Sequence, residues 1–344
     1  MSIEKKYCLK NSAGEDIYLF TLRNASNIEV CISNYGAIIT SYKINGLNIA
    51  LGFEDIRDYF SQDYLAVYPY FGCIVGRYAN RIKNASFYMG SDFFLVSKNM
   101  GEDQLHGGLE GFDKKVWEIV PSANAINAVT FKYISKDGEE GFPGNLTVTI
   151  SFELNEENEL IIVTRATTDK TTAINLTHHD YFNLNEFGTI DKHLLKINAG
   201  YYLGQDANLV TDGNLVSVAG TSLDFRNFRA VDALWNPDDG YDQTFVIDKK
   251  ENELSLCAEC IGDITKLRLQ VFTTEPSVHF YTGRWIPFIE RNNKKYFGPY
   301  SGLCFETQKH PNSINIPHFP DTILRPGEEY YEKTIYKISA AEVK

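Results

Sequence analysis

Acid–base chemistry on a small molecule needs a proton donor, a proton acceptor and polar groups that hold the substrate between them. The stretch Asn175-Leu176-Thr177-His178-His179-Asp180-Tyr181-Phe182-Asn183-Leu184 gathers several such side chains in one short segment. It follows an apolar, β-branched run from Glu159 to Ile174 that reads as strand. Successive strand side chains point to opposite faces, so His178 and His179 cannot serve one site together. Burying Asn, Thr, two His and Asp is costly unless every polar group finds a partner. The segment therefore reads either as a hydrogen-bonded core network or as the wall of a binding cleft.

Glu306 is the carboxylate hardest to assign to the surface. It closes the apolar run Gly302-Leu303-Cys304-Phe305, and a carboxylate at the end of such a strand is expected to be partly buried. Such a group is paired or has a raised pKa, the condition for a general base near neutral pH. His106, between Leu105 and two glycines, is a further proton-transfer candidate; Asn80, Arg81 and Asp242 are candidate hydrogen-bonding partners. Each has a plain structural alternative: a surface ion pair for Arg81, a turn cap for His106, a loop anchor for Asp242. A Walker loop, a dinucleotide GxGxxG and a GxSxG elbow are all missing from the sequence. HExxH spacing is missing too, although a metal site built from distant histidines and Glu306 stays open. A glycosidase would need two carboxylates flanking one bond, and nothing local singles out Asp242 and Glu306 as that pair.

The elements that must position these groups are strands. Leu146, Val148, Ile150, Phe152 and Leu154 alternate with Thr147, Thr149, Ser151 and Glu153, a half-buried antiparallel strand. The polar tip Asn155-Glu156-Glu157-Asn158 turns it back into Leu160-Ile161-Ile162-Val163. Ala85 to Met89 and Asp92 to Val96 form a second hairpin across Gly90-Ser91. Strand-like runs recur at 18–22, 28–32, 38–44, 129–134, 254–260, 267–272, 278–282, 303–306 and 334–338, whereas Asp55 to Phe60 reads as one short helical turn. With 21 Tyr and 22 Phe on short strands and no linker or repeat, the expected architecture is all-β, a large antiparallel β-sandwich in one domain spanning 1–344. Candidate functional loops are 76–82, 105–108 with 111–114, and 239–243.

The net charge of −12 argues against nucleic-acid and anionic-membrane partners. Neither a signal-peptide apolar core nor a transmembrane-length run is present. The six cysteines form no framework, and Cys257-Ala-Glu-Cys260 is expected to be buried and reduced within a strand, consistent with a cytoplasmic setting.

Taken together, these residues resemble the aldose 1-epimerase (galactose mutarotase) family, from about residue 30 to the C-terminus. The matching pieces include Val75-Gly76-Arg77-Tyr78-Ala79-Asn80-Arg81-Ile82, Leu105-His106-Gly107-Gly108 and Gly138-Glu139-Glu140-Gly141-Phe142-Pro143-Gly144-Asn145. Others are Asn175-Leu176-Thr177 with His179, Gly240-Tyr241-Asp242, Phe280-Tyr281-Thr282-Gly283, Glu306-Thr307-Gln308 and Leu324-Arg325-Pro326-Gly327-Glu328. The resemblance implies a β-supersandwich that interconverts sugar anomers without a cofactor or metal, acting on small sugars as a monomer or homodimer. It implies His179 as general acid and Glu306 as general base, on opposite sides of the anomeric carbon. Arg81, His106 and Asp242 are implied to contact the sugar, with Asn80 and Tyr181 as further pocket members. His279 stands where the family usually has a sugar-contacting Gln, His178 where Asn is usual, Asp180 where Ser or Thr is common, and Gln243 where His is frequent. Arg77 is the one extra cation that a phosphorylated substrate could use. The sequon Asn175-Leu176-Thr177 is expected to belong to the site. A sugar-binding regulatory module and an epimerase of a phosphorylated hexose are the alternatives.

Overall fold

The computed structural model describes residues 2–122, 126–291 and 295–341. Its strands are antiparallel and gather mainly into sheets of nine, six and five. The middle of the nine-stranded sheet is formed by Leu146–Leu154, Glu159–Thr168 and the C-terminal Tyr330–Ala340. Along Leu146–Leu154 every second side chain is buried, as the alternation requires. The run expected to continue to Ile174 stops at Thr168. There Asn145 N donates to Asp169 Oδ1 and Thr168 Oγ1 to the Lys170 carbonyl, and Thr172–Ala173 resumes in another sheet, paired with Ile323–Leu324. Local hydrogen bonds from polar side chains outcompete the ladder at that point. Cys257 and Cys260 lie buried and free in the strand Ser255–Ile261 of this sheet, as expected.

The six-stranded sheet runs, in spatial order, Tyr181–Phe182, Leu303–Gln308, Ser277–Tyr281, Asp242–Val246, Tyr201–Gln205 and Thr211–Ser217. Its inner face presents Phe182, Leu303, Phe305, Val278, Phe280 and Phe245 to the main core. The Phe182 and Tyr336 rings meet there at 5.0 Å, and Thr307 Oγ1 lies 2.6 Å from Thr334 Oγ1. This face packs on the nine-stranded sheet. The period of two then sends Cys304, Glu306, His279, Tyr281, Asp242, Thr244 and Tyr181 to the outer face. Each fully buried Phe, Leu or Ile contributes about 1.5–3 kcal/mol, so the inner face can support an outer face rich in polar groups.

The five-stranded sheet, from Ser2–Lys10 to Leu47–Asn48, meets the core through Phe20, edge-on to Phe131 at 5.6 Å. The expected turn is the 3-10 helix Ile56–Phe60, whose cap Asp55 accepts from Arg57 N. An unexpected α-helix, Gln62–Val67, follows it, capped by Ser61 Oγ accepting from Tyr64 N at 3.3 Å. It buries Tyr64 alone, so it carries no apolar periodicity for the sequence to display.

Candidate active site

The stretch Asn175–Leu184 is not one strand. Thr177–His178 pairs with Ile74–Val75, and Tyr181–Phe182 pairs with the Glu306 strand, so His179 sits at the joint between two sheets. Its backbone is pinned there: His179 N donates to the Cys73 carbonyl at 2.8 Å and Gly72 N to the His179 carbonyl at 3.0 Å. The ring is held between Tyr70 and Tyr181, at centroid separations of 5.9 and 4.9 Å. His178 points the other way, with Nδ1 2.7 Å from Asp180 Oδ2 and Nε2 3.1 Å from the Ala37 carbonyl. The pair His178–Asp180 is thus a buried core network in which both His178 nitrogens are engaged, while His179 belongs to a cleft. Both initial readings of the segment hold, on opposite faces.

Glu306 lies inside its strand rather than at its end, because Thr307 and Gln308 continue the ladder to Val278 and Ser277. It is only 1% exposed. Its Oε1 is 3.5 Å from His179 Nε2, and Oε2 has no hydrogen-bond partner among the described residues. Behind His179, Cys304 Sγ lies 3.6 Å from Nδ1. Burial, reinforced by the Glu306 and Asp180 charges, pushes the Cys304 thiol well above its ordinary range, so it stays neutral. The His179 imidazole and the Glu306 carboxylate are thus neighbours on the cleft wall. This suits a hemiacetal, whose ring oxygen and hydroxyl are carried on one carbon.

Asn80, Arg81 and His106 come from loops that a two-rung ladder joins, Arg81–Ile82 against Gln104–Leu105. His106 N donates to the Asn80 carbonyl at 3.0 Å. The turn after His106 needs glycine: a Cβ on Gly107, at φ +89, would sit 2.0 Å from the Gly76 carbonyl oxygen. Asn80 Oδ1 accepts from Arg81 N at 2.9 Å and from Nη1 at 3.4 Å, which orients the guanidinium; Arg81 Nε has no hydrogen-bond partner among the described residues. Asn80 N donates to His106 Nδ1 at 3.3 Å. That assigns the lone pair to Nδ1 and the proton to Nε2. Burial, helped by the His179, Arg81 and His279 charges, holds the His106 pKa well below its ordinary value, so the ring is a neutral N–H donor.

Each of His106, His179 and Glu306 offers one ligand atom within 4.8 Å of the other two. A metal requires a lone pair on the nitrogen that faces it. His106 keeps its lone pair for Asn80, so the trio is arranged for proton traffic better than for ligation.

Asn80, Arg81, His106, His179, Tyr181, Asp242, His279 and Glu306 line one cavity of about 200 Å³. Ligand cavities commonly span about 300–1,000 Å³, so this one suits a single sugar ring. Tyr70, Met100, Tyr281 and Trp285 are among the other residues of its wall. Of these, Tyr281 was legible as the residue two along from His279, whereas Tyr70 and Trp285 reach the cavity through folding alone.

Three expectations need correction. Asn175 and Thr177 are outside the cavity; the Asn175 amide instead brackets Lys309, donating to its carbonyl and accepting from its N at 2.9 Å. Arg77 is also outside it. Its guanidinium donates to the carbonyls of Pro143, Gly144, Ser135 and Lys136 and to Thr172 Oγ1, and burial lowers its pKa to about 10. His279 has no nitrogen free for a sugar: Nε2 is 2.8 Å from Asp242 Oδ1 and Nδ1 is 2.8 Å from Thr244 Oγ1.

The family model for aldose 1-epimerase matches residues 18–337. A galactose mutarotase of Mus musculus is 37% identical, over 96% of each chain. An aldose 1-epimerase of Escherichia coli is 36% identical over 95% of this chain and 96% of its own. The crystal structure of galactose 1-epimerase from Lactobacillus acidophilus superposes with a TM-score of 0.87 at 28% identity, covering 99% of this chain and all of the other. A family model matched from residue 18 to 337, and relatives 36% and 37% identical along almost the whole sequence, place this chain in the aldose 1-epimerase family.

Proposed function

We propose that the protein, acting as one β-sandwich domain, interconverts the α and β anomers of free hexoses such as galactose and glucose, with His179 and Glu306 as its proton-transfer pair. The observation that carries this is the 3.5 Å approach of His179 Nε2 to Glu306 Oε1 on the cavity wall. Glu306 removes the proton of the anomeric hydroxyl while His179 gives its Nε2 proton to the ring oxygen. The bond from C1 to the ring oxygen breaks and an aldehyde forms. Rotation about C1–C2 then presents the other face of the carbonyl. The chain hydroxyl attacks that face, returns its proton to His179, and the new anomeric oxygen takes the proton held by Glu306. Protons and electrons balance, and each positioned group supplies about 10²–10⁴-fold.

Arg81 and the His106 N–H donate to sugar oxygens, and Asp242 accepts from a sugar hydroxyl. Burial alone would raise the Asp242 pKa, but the hydrogen bond and charge of His279 outweigh it and hold the carboxyl below its usual range. Asp242 is therefore an acceptor throughout the neutral range. A free sugar is favoured over a phosphorylated one because the Arg77 charge is committed to buried carbonyls. Among the described residues no helix is long and apolar enough to cross a membrane, and we assign the enzyme to the cytoplasm, as a monomer or homodimer without a nucleic-acid partner.

The test is polarimetry of freshly dissolved α-D-galactose, α-D-glucose and a hexose 6-phosphate. Acceleration of the free sugars is expected. Acceleration of the phosphorylated sugar alone would refute the substrate assignment, and equal decay with and without protein would leave a sugar-binding module.

A further inference from the structure

His279 occupies the middle of the cavity floor, on a strand flanked by the Asp242 and Glu306 strands. Its direct cross-strand partners are Thr244 on one side and Glu306 on the other, with Asp242 on the diagonal. A carboxylate can only accept, so the 2.8 Å contact between Nε2 and Asp242 Oδ1 requires the proton to sit on Nε2. Nδ1 meets the Thr244 hydroxyl at 2.8 Å, and a hydroxyl can donate to a lone pair or accept from an N–H. Thr244 therefore holds the ring in one orientation whether His279 is neutral or charged. The charged groups around His279 are Asp242 and Glu306 on the flanking strands and Arg81 from the short strand Arg81–Ile82, with the titratable but neutral His106 also near.

We propose that Thr244 and His279 form a clamp that fixes the Asp242 carboxylate. His279 is then a positioning residue that never touches the sugar, and the Asp242 oxygen away from it, Oδ2, is held in place to accept from a sugar hydroxyl. This rests on the assignment of Asp242 as a sugar ligand. Burial alone would lower the His279 pKa, but the Asp242 hydrogen bond and the Glu306 charge more than offset it and raise it, which strengthens the grip.

A double-mutant cycle separates this from direct contact. His279→Leu should raise the KM for galactose about tenfold to a hundredfold, the worth of one charge-assisted hydrogen bond, and leave kcat within about threefold. Asp242→Ala should raise KM at least as much. If His279 acts through Asp242, the double variant should match Asp242→Ala within about twofold; multiplied effects would show that His279 binds sugar itself and would overturn the proposal. His279→Gln, whose amide nitrogen reaches about as far as Nε2, should return KM to within about threefold of wild type. Failure of that rescue would also count against the clamp. Nitrogen-edited NMR of the wild-type imidazoles gives a readout independent of turnover and of variant folding. It should find a proton on His279 Nε2, and a lone pair there would overturn the clamp. A wild-type protein that accelerates no aldose would refute the catalytic reading, and the NMR spectrum would still decide whether the clamp exists.

Discussion

Glu306→Gln isolates the proposed base. The substitution keeps the side-chain shape and removes the charge of a group that is 1% exposed. In the wild type, Oε1 faces His179 Nε2 and Oε2 has no partner among the described residues, so one oxygen is close to the proposed acid and the other is available to the anomeric hydroxyl. An amide has no comparable basicity, and loss of one positioned acid–base group lowers the rate about 10²–10⁴-fold. At 1.36 kcal/mol per decade the barrier rises by about 2.7–5.4 kcal/mol. Asn80, Arg81, His106 and Asp242 are untouched, so galactose binding should change by less than about threefold, as read by saturation-transfer NMR. Folding should survive, because the inner face of the strand, Leu303 and Phe305, is unaltered. The assay is the optical-rotation decay of α-D-galactose against enzyme concentration. A variant that keeps more than about a tenth of the wild-type kcat would refute Glu306 as base. His179→Asn should lose a similar factor, and the double variant little more, because acid and base act as a unit.

Three further variants probe the scaffold. Arg77→Met strands buried carbonyls that now accept from the guanidinium; it should cost about 3 kcal/mol or more in thermal or urea unfolding, and an unchanged midpoint would contradict a structural role for those hydrogen bonds. Cys257→Ser with Cys260→Ser places two hydroxyls in the core, so stability should fall by about 1–3 kcal/mol while activity per folded molecule stays constant; lost activity in a folded variant would revive a role for the pair. Glu332, buried with Tyr330 Oη donating to its Oε2 at 2.6 Å, has its pKa raised to about 8, chiefly by burial and then by the Glu275 charge. The folded state therefore holds this proton where the unfolded chain has released it. The group's contribution is fully present below the unfolded value, near pH 4.5, and is lost as pH rises to about 8, at about 1.4 kcal/mol per pH unit. The stability of Glu332→Gln relative to wild type should thus increase across that window, and a difference independent of pH would refute the shift.

Much of this was readable in the residues themselves. The alternation in Leu146–Leu154 sets which side chains are buried whatever the partner strand, and the observed burial follows it residue by residue. The same period separates Phe305 from Glu306, because it is a property of the backbone, whereas His178 and His179 part at a joint between two sheets. Other features depended on contacts between distant segments. Nothing local says that Glu159–Thr168 should stop where it does, since the turn is closed by Asn145, the residue just before the strand Leu146–Leu154. Nor does Arg77 advertise that its charge turns inward, because its acceptors are carbonyls at 135–136 and 143–144.

The chain alone therefore determined the all-β class, the strand faces and the family, since these follow from backbone periodicity and from motifs written in order along it. The tertiary structure decided which polar residues meet. It brought His179 against Glu306, turned His106 into a neutral donor through Asn80, and engaged both His279 nitrogens with Asp242 and Thr244. Proton positions and hydrogen-bond partners are set by neighbours a few ångströms away in space, and those neighbours are far apart in the chain.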